Sequence, residues 1–395
     1  MNLLIVNDSG LQGGGAENRI RWLVNELLKK GICKEVHILQ KKIENVRNED
    51  VDSKVKTHIC GDGKFSSYRM AKFIIEKYNI QLMQTHNMLA LLPFPIIAGR
   101  RARIPVVWFP HDYWVLCAYR CFINPYKAKE EQLCTKSSFK RCSYCKNWQT
   151  SLRLKLFQHI INKANLGISP GNFVKDLYES HNILKRRWKV VFPWIDTAGF
   201  DFSKVENRDD SMVFVGPLMD YKGAWVAAEA FKYIVNDIPN AKLKFIGYQQ
   251  EKGNIYRKSI EAIGQRDSTF NRMFFLGTKT RNEIMSEHCK AGVYVCPPVW
   301  PELFGQNWAE AMACGCPVVS SEIGSISELA DGKVILVPPR EPQKLAQAVV
   351  GVLKDKEYFK RFGEEGRKYA LERFSVERAV DEMVKIYESL LIKNN

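Results

Sequence analysis

Short apolar runs alternate with amphipathic segments along the whole chain, the pattern of parallel strands joined by helical crossovers. In the first half, the runs at 3–7, 35–40, 82–85, 106–109 and 166–168 read as strands. The loop Gly13-Gly14-Gly15 follows the first of them, and a helix predicted over 18–30 ends at Gly31, a residue suited to a helix terminus. In the second half, strands are predicted at 211–215, 243–246, 273–276, 293–296, 317–320 and 334–337. Both halves are therefore expected to be doubly wound α/β domains. The boundary is placed where the run at 191–195 is interrupted by Pro193, giving domains 1–193 and 194–374. In the terminal segment 375–395, apolar residues recur at helical spacing, so this helix must pack on something. Periodicity leaves the partner surface open, with the N-terminal domain a candidate.

A length of 395 residues suits two domains, and 46% apolar with 26% charged residues excludes a disordered, collagen-like or heptad-repeat chain. The longest nearly apolar stretch, 88–99, contains Pro93 and Pro95 and falls short of the ~20 residues of a spanning helix. The opening residues lack the basic leader and long apolar core of a signal peptide, so a cytoplasmic location is expected.

Charge changes the picture more. The formal charge is +16, and residues 1–195 carry 32 basic and 15 acidic side chains against 27 and 28 in the remainder. An excess confined to one half favours an anionic partner such as a phospholipid surface, a lipid pyrophosphate or nucleic acid; solubility is the plain alternative. The basic amphipathic stretch 151–165 is expected to turn Leu152, Leu156, Ile160 and Ile161 to the core rather than to a membrane.

Eleven cysteines in a cytoplasmic setting should stay reduced. Cys117, Cys121, Cys134, Cys142 and Cys145 cluster in a segment with little helix or strand pattern and end in Cys-x-x-Cys. A structural zinc on Cys117, Cys134, Cys142 and Cys145 would order it; separate thiols and redox chemistry are the alternatives. Cys33, Cys60, Cys289, Cys296, Cys314 and Cys316 read as small core fillers.

The string from Pro301 to Val319 reads as loop, helix, glycine stop and buried strand. Glu302 is expected just before the helix and Glu310 about two turns along it, with the backbone N–H groups of Phe304, Gly305 and Gln306 between them. A helix N-terminus carries about +0.5 of partial charge. Two carboxylates beside it would suit a phosphate flanked by polyol groups, although acidic residues near helix starts commonly serve as caps.

The whole string closely resembles the Glu-x7-Glu signature of the family 4 retaining glycosyltransferases. That resemblance implies the GT-B fold, two facing Rossmann-like domains with the nucleotide-sugar cleft between them. It assigns Glu302 to the donor sugar's hydroxyls, Glu310 to the ribose, and the N–H groups of Phe304, Gly305 and Gln306 to the diphosphate and sugar. Gly13-Gly14-Gly15-Ala16-Glu17 resembles the family's glycine loop, so Gly14 and Gly15 are implied to approach the diphosphate. The segment from Phe109 to Trp114 resembles the one whose histidine, here His111, lies beside the reacting face of the sugar.

Val215 to Gly223 resembles the pattern Gly-Arg-x4-Lys-Gly, with Lys222 as the cation on the leaving diphosphate. Pro217 stands in the arginine's place, so Lys222 acts alone or another basic residue joins it. Gly324-Ser325 replaces the usual Gly-Gly and puts the backbone of that loop in question. The cysteine segment, 117–145, is implied to be an insertion near the acceptor cleft, as in a subset of the family.

The implied activity is hexosyl transfer with retained configuration, from a nucleotide-diphosphate sugar to a glycan or polyprenyl pyrophosphate-linked acceptor in cell-surface polysaccharide synthesis. The expected location is the cytoplasm or, peripherally, the inner face of the cell membrane. No Asp-x-Asp metal motif is read along the chain, so no metal or other cofactor is expected in catalysis, a structural zinc aside. Two rivals are a nucleotide-sugar epimerase on the same fold and a basic zinc-containing nucleic-acid-binding protein. The second leaves the 302–319 string unexplained, so nucleic acid is not an expected partner.

Overall fold

Leu3, Leu4, Ile5 and Val6 are all fully buried in the first strand, as a parallel sheet covered on both faces requires. A computed structural model of the chain describes residues 1–11, 14–42, 52–63, 65–122, 129, 134, 148–197, 208–247 and 253–393. The chain divides into two units: Met1–Arg120, Cys134–Asp196 and Val376–Asn395 form the first, and Cys121–Leu133 and Thr197–Ser375 the second.

Unit 1 runs β1 (Asn2–Val6), α1 (Gly15–Lys29), β2 (Glu35–Lys41), β3 (Val55–Cys60), α2 (Ser66–Lys77), β4 (Leu82–Thr85), α3 (Pro95–Arg101), β5 (Val106–Trp108), α4 (Trp148–Ile161), β6 (Leu166–Ser169), α5 (Asn172–Ser180) and β7 (Trp188–Val190). Its seven parallel strands lie in the order β3-β2-β1-β4-β5-β6-β7. Unit 2 runs β8 (Ser211–Val215), α6 (Ala224–Asp237), β9 (Lys242–Ile246), α7 (Gly253–Arg266), β10 (Met273–Phe275), α8 (Arg281–Lys290), β11 (Val293–Cys296), α9 (Gln306–Ala313), β12 (Val318–Ser321), α10 (Ile326–Ala330), β13 (Ile335–Val337), α11 (Pro342–Lys354) and α12 (Lys356–Arg373). Its six strands are ordered β10-β9-β8-β11-β12-β13.

In both sheets the winding direction reverses beside the first strand, between β1 and β4 and between β8 and β11. Loops at the carboxyl ends of the strands diverge at such a reversal, and ligands bind there in open α/β sheets. Gly14, His86 and His111 follow β1, β4 and β5, while Lys222 and Glu302 follow β8 and β11.

Helix α1 starts three residues earlier than its apolar pattern predicts, because the Glu17 carboxylate turns back to accept the Gly14 N–H at 3.0 Å. The final helix, α13 (Val376–Ile392), belongs to unit 1. Its Val376, Ala379, Val380, Met383 and Tyr387 share one buried cluster with Ile20, Leu23, Val24 and Leu27 of α1. At about 1.5–3 kcal/mol for each fully buried Val, Leu, Ile or Met, this seam is a substantial part of the unit's core. Edge strand β3 escaped the sequence reading because Lys56 and His58 break its apolar run.

The expected core face of α4 is corrected. Leu152 and Leu156 are 60% and 45% exposed, whereas Leu154, Phe157, Ile160 and Ile161 are buried. Both sets have helical spacing, and the helix settles with Phe157 edge-on against Trp114, ring centroids 5.4 Å apart. Cys33, Cys60, Cys117, Cys121, Cys314 and Cys316 are buried, and Cys134, Cys289 and Cys296 are half-buried. Cys142 and Cys145 lie outside the described residues. Among the described residues, no group of three His, Cys, Asp or Glu side chains is placed to hold a metal, and no helix is long and apolar enough to cross a membrane.

Candidate functional site

In unit 2 the loop after β8 passes through a short turn, Asp220–Lys222, and reaches Gly223 at φ +80°. A Cβ at Gly223 would lie 1.7 Å from the Pro297 carbonyl oxygen, so only glycine lets this loop close on the loop after β11. Val299 N–H seals the contact, donating to Tyr221 O at 2.9 Å. Lys222 and Glu302, 80 residues apart in sequence, thereby meet with Nζ 2.7 Å from Oε2. Trp300 Nε1 donates to the same oxygen at 3.0 Å, and its ring centroid lies 4.8 Å from the ammonium. Burial disfavours the charge on Lys222, but the adjacent Glu302 carboxylate and the Tyr221 ring more than offset it, and the lysine pKa is raised. The lysine therefore stays an ammonium ion. Main-chain contacts hold Glu302 as well, since Ser325 N–H donates to its carbonyl at 3.0 Å. Ser325 itself sits at φ −86°, where serine is unstrained, and the left-handed position is Gly324 at φ +73°. The departure from Gly-Gly thus costs the loop nothing.

Helix α9 begins only at Gln306, because Gly305 takes φ +77° and keeps the preceding residues out of the helix. Glu310 consequently lies one turn into the helix rather than two. It is 5% exposed, accepts from Gln306 Nε2 at 2.8 Å, and lies 3.5 Å from Arg281 Nε. Asn307 Nδ2 donates to Val215 O at 2.9 Å and pins the helix start to β8. Gln306 and Asn307 N–H have no carbonyl one turn earlier in the helix, so the helix presents donors and partial positive charge beside Glu302. Phe304 contributes only main chain here; its ring is buried against Trp308 and Phe374.

In unit 1 the Gly14 N–H is engaged by Glu17, whose second oxygen accepts from Asn7 Nδ2 at 3.2 Å. Gly15 opens α1, and Gly13 lies outside the described residues. Burial, partly countered by the Asn7 bond, raises the Glu17 pKa. His111 is half-buried in a recess also lined by Arg19, Ile20, His86, Ser169 and Trp194. Its Nδ1 is 2.8 Å from Arg19 Nη2 and its Nε2 is 2.7 Å from His86 Nδ1. Burial, and then the Arg19 charge, hold its pKa well below the usual histidine range, so the ring is neutral. Asp112 is structural: it accepts from Trp114 N at 2.8 Å, binds Arg120, and its carbonyl accepts from Tyr178 Oη at 2.8 Å.

Sequence reasoning missed Trp300, Arg281, Arg19 and His86. Trp300 alone carried a local signal, its place two residues before Glu302. The reading that the chain has no Asp-x-Asp spacing is corrected, since Asp50-Val51-Asp52 has it. Asp50 and Val51 lie outside the described residues, and one Asp52 oxygen accepts the Lys54 N–H at 2.8 Å.

Residues 13–198 match the family model described as Glycosyltransferase Family 4, and residues 199–369 the one described as Glycosyl transferases group 1. Among curated relatives, the chain is 26% identical over 183 residues to spore coat protein SA of Bacillus subtilis, covering 45% of this chain and 48% of that one. It is 26% identical over 250 residues to D-inositol 3-phosphate glycosyltransferase of Corynebacterium urealyticum, covering 59% and 58%. The chain thus spans about half to three-fifths of the length of these relatives. Sucrose-phosphate synthase of Thermosynechococcus elongatus superposes with a TM-score of 0.77 at 19% identity, covering 99% of both chains. Anabaena HepE, solved in complex with UDP, gives 0.75 at 19% identity, covering 98% of this chain and 100% of that one. At these identities the superpositions speak for the fold.

Proposed function

The chain belongs to the family 4 glycosyltransferases and has the GT-B fold of two parallel-sheet α/β domains, and from that premise we propose that it is a retaining hexosyltransferase using a nucleotide-diphosphate sugar. The observation that carries the reading is the Lys222–Glu302 pair beside the α9 N-terminus at the switch point of unit 2. The chemical task is to ionise the bond between the sugar C1 and the diphosphate oxygen. Lys222 exchanges Glu302 for the diphosphate and, with the N–H groups of α9, stabilises the charge that develops on the leaving group. Glu302, released from the lysine, takes the sugar hydroxyls, and Glu310 takes the ribose. His111 lines the reacting face of the sugar. The departing phosphate oxygen accepts the proton of the acceptor hydroxyl, which attacks from the same face and retains configuration.

UDP-sugars are the first donors to test, because HepE has been solved with UDP and with UDP-glucose. Incubation with a panel of UDP-, GDP- and ADP-sugars and a lipid-linked glycan should release nucleoside diphosphate and give a product with the donor's anomeric configuration by NMR. Release is expected to persist in EDTA; its loss, restored by Mg²⁺ or Mn²⁺, would overturn the metal-independent mechanism. Metal analysis of the EDTA-treated protein runs alongside, because we assign a structural zinc to Cys117, Cys134, Cys142 and Cys145. Inversion at C1, or interconversion of the sugar with no transfer, would sink the main reading.

We place the acceptor, a polyprenyl pyrophosphate-linked glycan, at the cytoplasmic face of the membrane. Trp148, Leu152 and Leu156 recur every four residues on α4 and are 70%, 60% and 45% exposed, with Arg153 and Lys155 exposed between them. An apolar stripe edged with cations on a basic half of the chain suits an anionic bilayer. The full-length protein should co-sediment with anionic but not neutral vesicles and detach as salt shortens the screening length from ~10 Å at 0.1 M to ~3 Å at 1 M. Leu152→Ser should weaken that binding; equal sedimentation of wild type and variant would remove the α4 stripe from the contact, and none by either would return the charge to a solubility role.

A further inference from the structure

A row of buried polar groups runs behind His111. His86 Nδ1 lies 2.7 Å from His111 Nε2, Gln84's amide lies 2.7 Å from His86 Nε2, and the Tyr387 hydroxyl of α13 meets the other end of that amide. Gln84, His86 and Tyr387 are each at most 1% exposed. The His86 and His111 rings are nearly coplanar, 19° apart with centroids 5.0 Å from each other, as an edge-to-edge nitrogen contact requires, and the Phe109 centroid lies 5.0 Å from that of His86. At the open end stands Arg19, 2.8 Å from His111 Nδ1.

The donors and acceptors in this row can be counted. Arginine only donates, and a neutral imidazole has one donor and one acceptor nitrogen. His111 Nδ1 must therefore accept from Arg19, so the His111 proton sits on Nε2 and points at His86 Nδ1. That nitrogen must accept in turn, and the His86 proton sits on Nε2, facing Gln84. The amide stands with its nitrogen toward His86, which would set donor against donor. A half-turn of the amide exchanges oxygen and nitrogen with hardly any change of shape. The oxygen then accepts from His86, and the amide nitrogen donates to the Tyr387 hydroxyl, which can accept as well as donate. The opposite polarity, led by Tyr387, would place a proton on His111 Nδ1 against the Arg19 guanidinium. A charged donor's bond is roughly twice as strong as a neutral one, so Arg19 decides the direction.

We propose that Arg19 and His86 are positioning residues that hold His111 in a single tautomer, with the proton on Nε2 and Nδ1 as the acceptor facing the recess. On the transferase reading above, a sugar hydroxyl arriving at His111 takes the place of Arg19 at Nδ1 and donates to an acceptor whose ring plane is already set.

Nitrogen-15 imidazole shifts of the full-length protein, with His86 and His111 assigned by substitution, test this directly. In the wild type, both rings should show an imine-type Nδ1 and an amine-type Nε2. Arg19→Met leaves the buried row untouched and should move the His111 shifts toward the averaged values of mixed tautomers. His86→Leu leaves Arg19 on Nδ1, so the proton should stay on Nε2 with its shift altered by the lost partner, and kcat should fall roughly 10- to 100-fold with KM little changed, the signature of lost orientation. His86→Asn restores an acceptor near the position of Nδ1 and should recover both readouts. A His111 proton on Nδ1 in the wild type, or unchanged shifts in folded Arg19→Met, would overturn the proposal. So would His86→Asn behaving like His86→Leu. The shifts need no turnover, so a chain that transferred no sugar would refute the proposed function while the spectrum still decided the tautomer.

Discussion

Glu302→Ala is expected to lower kcat by roughly 10²–10³-fold, the usual cost of losing a group that acts in the transition state, while UDP affinity stays within roughly threefold of wild type. The asymmetry follows from geometry. Glu302 is bonded to Lys222 and Trp300 before any ligand arrives, so removing it takes nothing from the nucleotide and leaves the ammonium available to the diphosphate. Its proposed contacts with the sugar tighten as charge develops at C1, so their loss appears in turnover. Glu310→Ala should behave in the opposite way. A carboxylate on a ribose hydroxyl is a charged hydrogen bond of about 1.5–3 kcal/mol, present equally in ground and transition states, so UDP affinity should fall roughly 10- to 100-fold. Calorimetric titration with UDP and initial rates on both variants separate the two roles. Equal affinity losses in the two would show that the carboxylates do not divide the donor between them.

Gly324→Ala should injure fold and turnover together. The new Cβ would lie 2.3 Å from Glu302 O and 2.5 Å from Glu302 N, main-chain atoms that no rotamer change can move aside, at a residue held at φ +73°. Left-handed strain of roughly 1–2 kcal/mol adds to an overpacking cost of roughly 1–3 kcal/mol. The chain can relieve the clash only by shifting the segment that carries Glu302, and a displacement near 1 Å is worth roughly 10²-fold in rate. Urea denaturation should show the lost stability, and turnover measured on the fraction still folded should show the second effect. Ser325→Ala, one residue on in ordinary backbone, serves as the control. Wild-type stability and rate in Gly324→Ala would mean that Glu302 is positioned by something other than this loop.

Much of the architecture is written in local pattern. Strands as uniformly apolar as 3–6 or 212–215 announce burial on both faces, and Lys222 and Glu302 stand in strings distinctive enough to be picked out before any contact is known. Pairings between distant segments leave no such trace. Nothing local says that Lys222 meets Glu302, or that Gln84, in the second half of a four-residue strand, reaches Tyr387 some 300 residues later. The N-terminus of α9 was misjudged by a turn because a left-handed Gly305 ends the loop, and composition does not reveal the sign of φ. On α4 two apolar stripes compete at the same spacing, and tertiary packing, Phe157 against Trp114 included, selects between them.

The place of α13 in unit 1 has a consequence for synthesis. The apolar face of α1 is made first and its cover last, with all of unit 2 translated in between. At roughly 5–20 residues per second, the 179 residues from Thr197 to Ser375 delay the cover by about 10–40 s. Unit 2 is therefore emerging while Ile20, Leu23, Val24 and Leu27 still lack their partners. A nascent chain in that interval carries a first unit whose sheet is complete but whose outer seam is open, a form for which chaperones and proteases compete until Val376–Ile392 arrives.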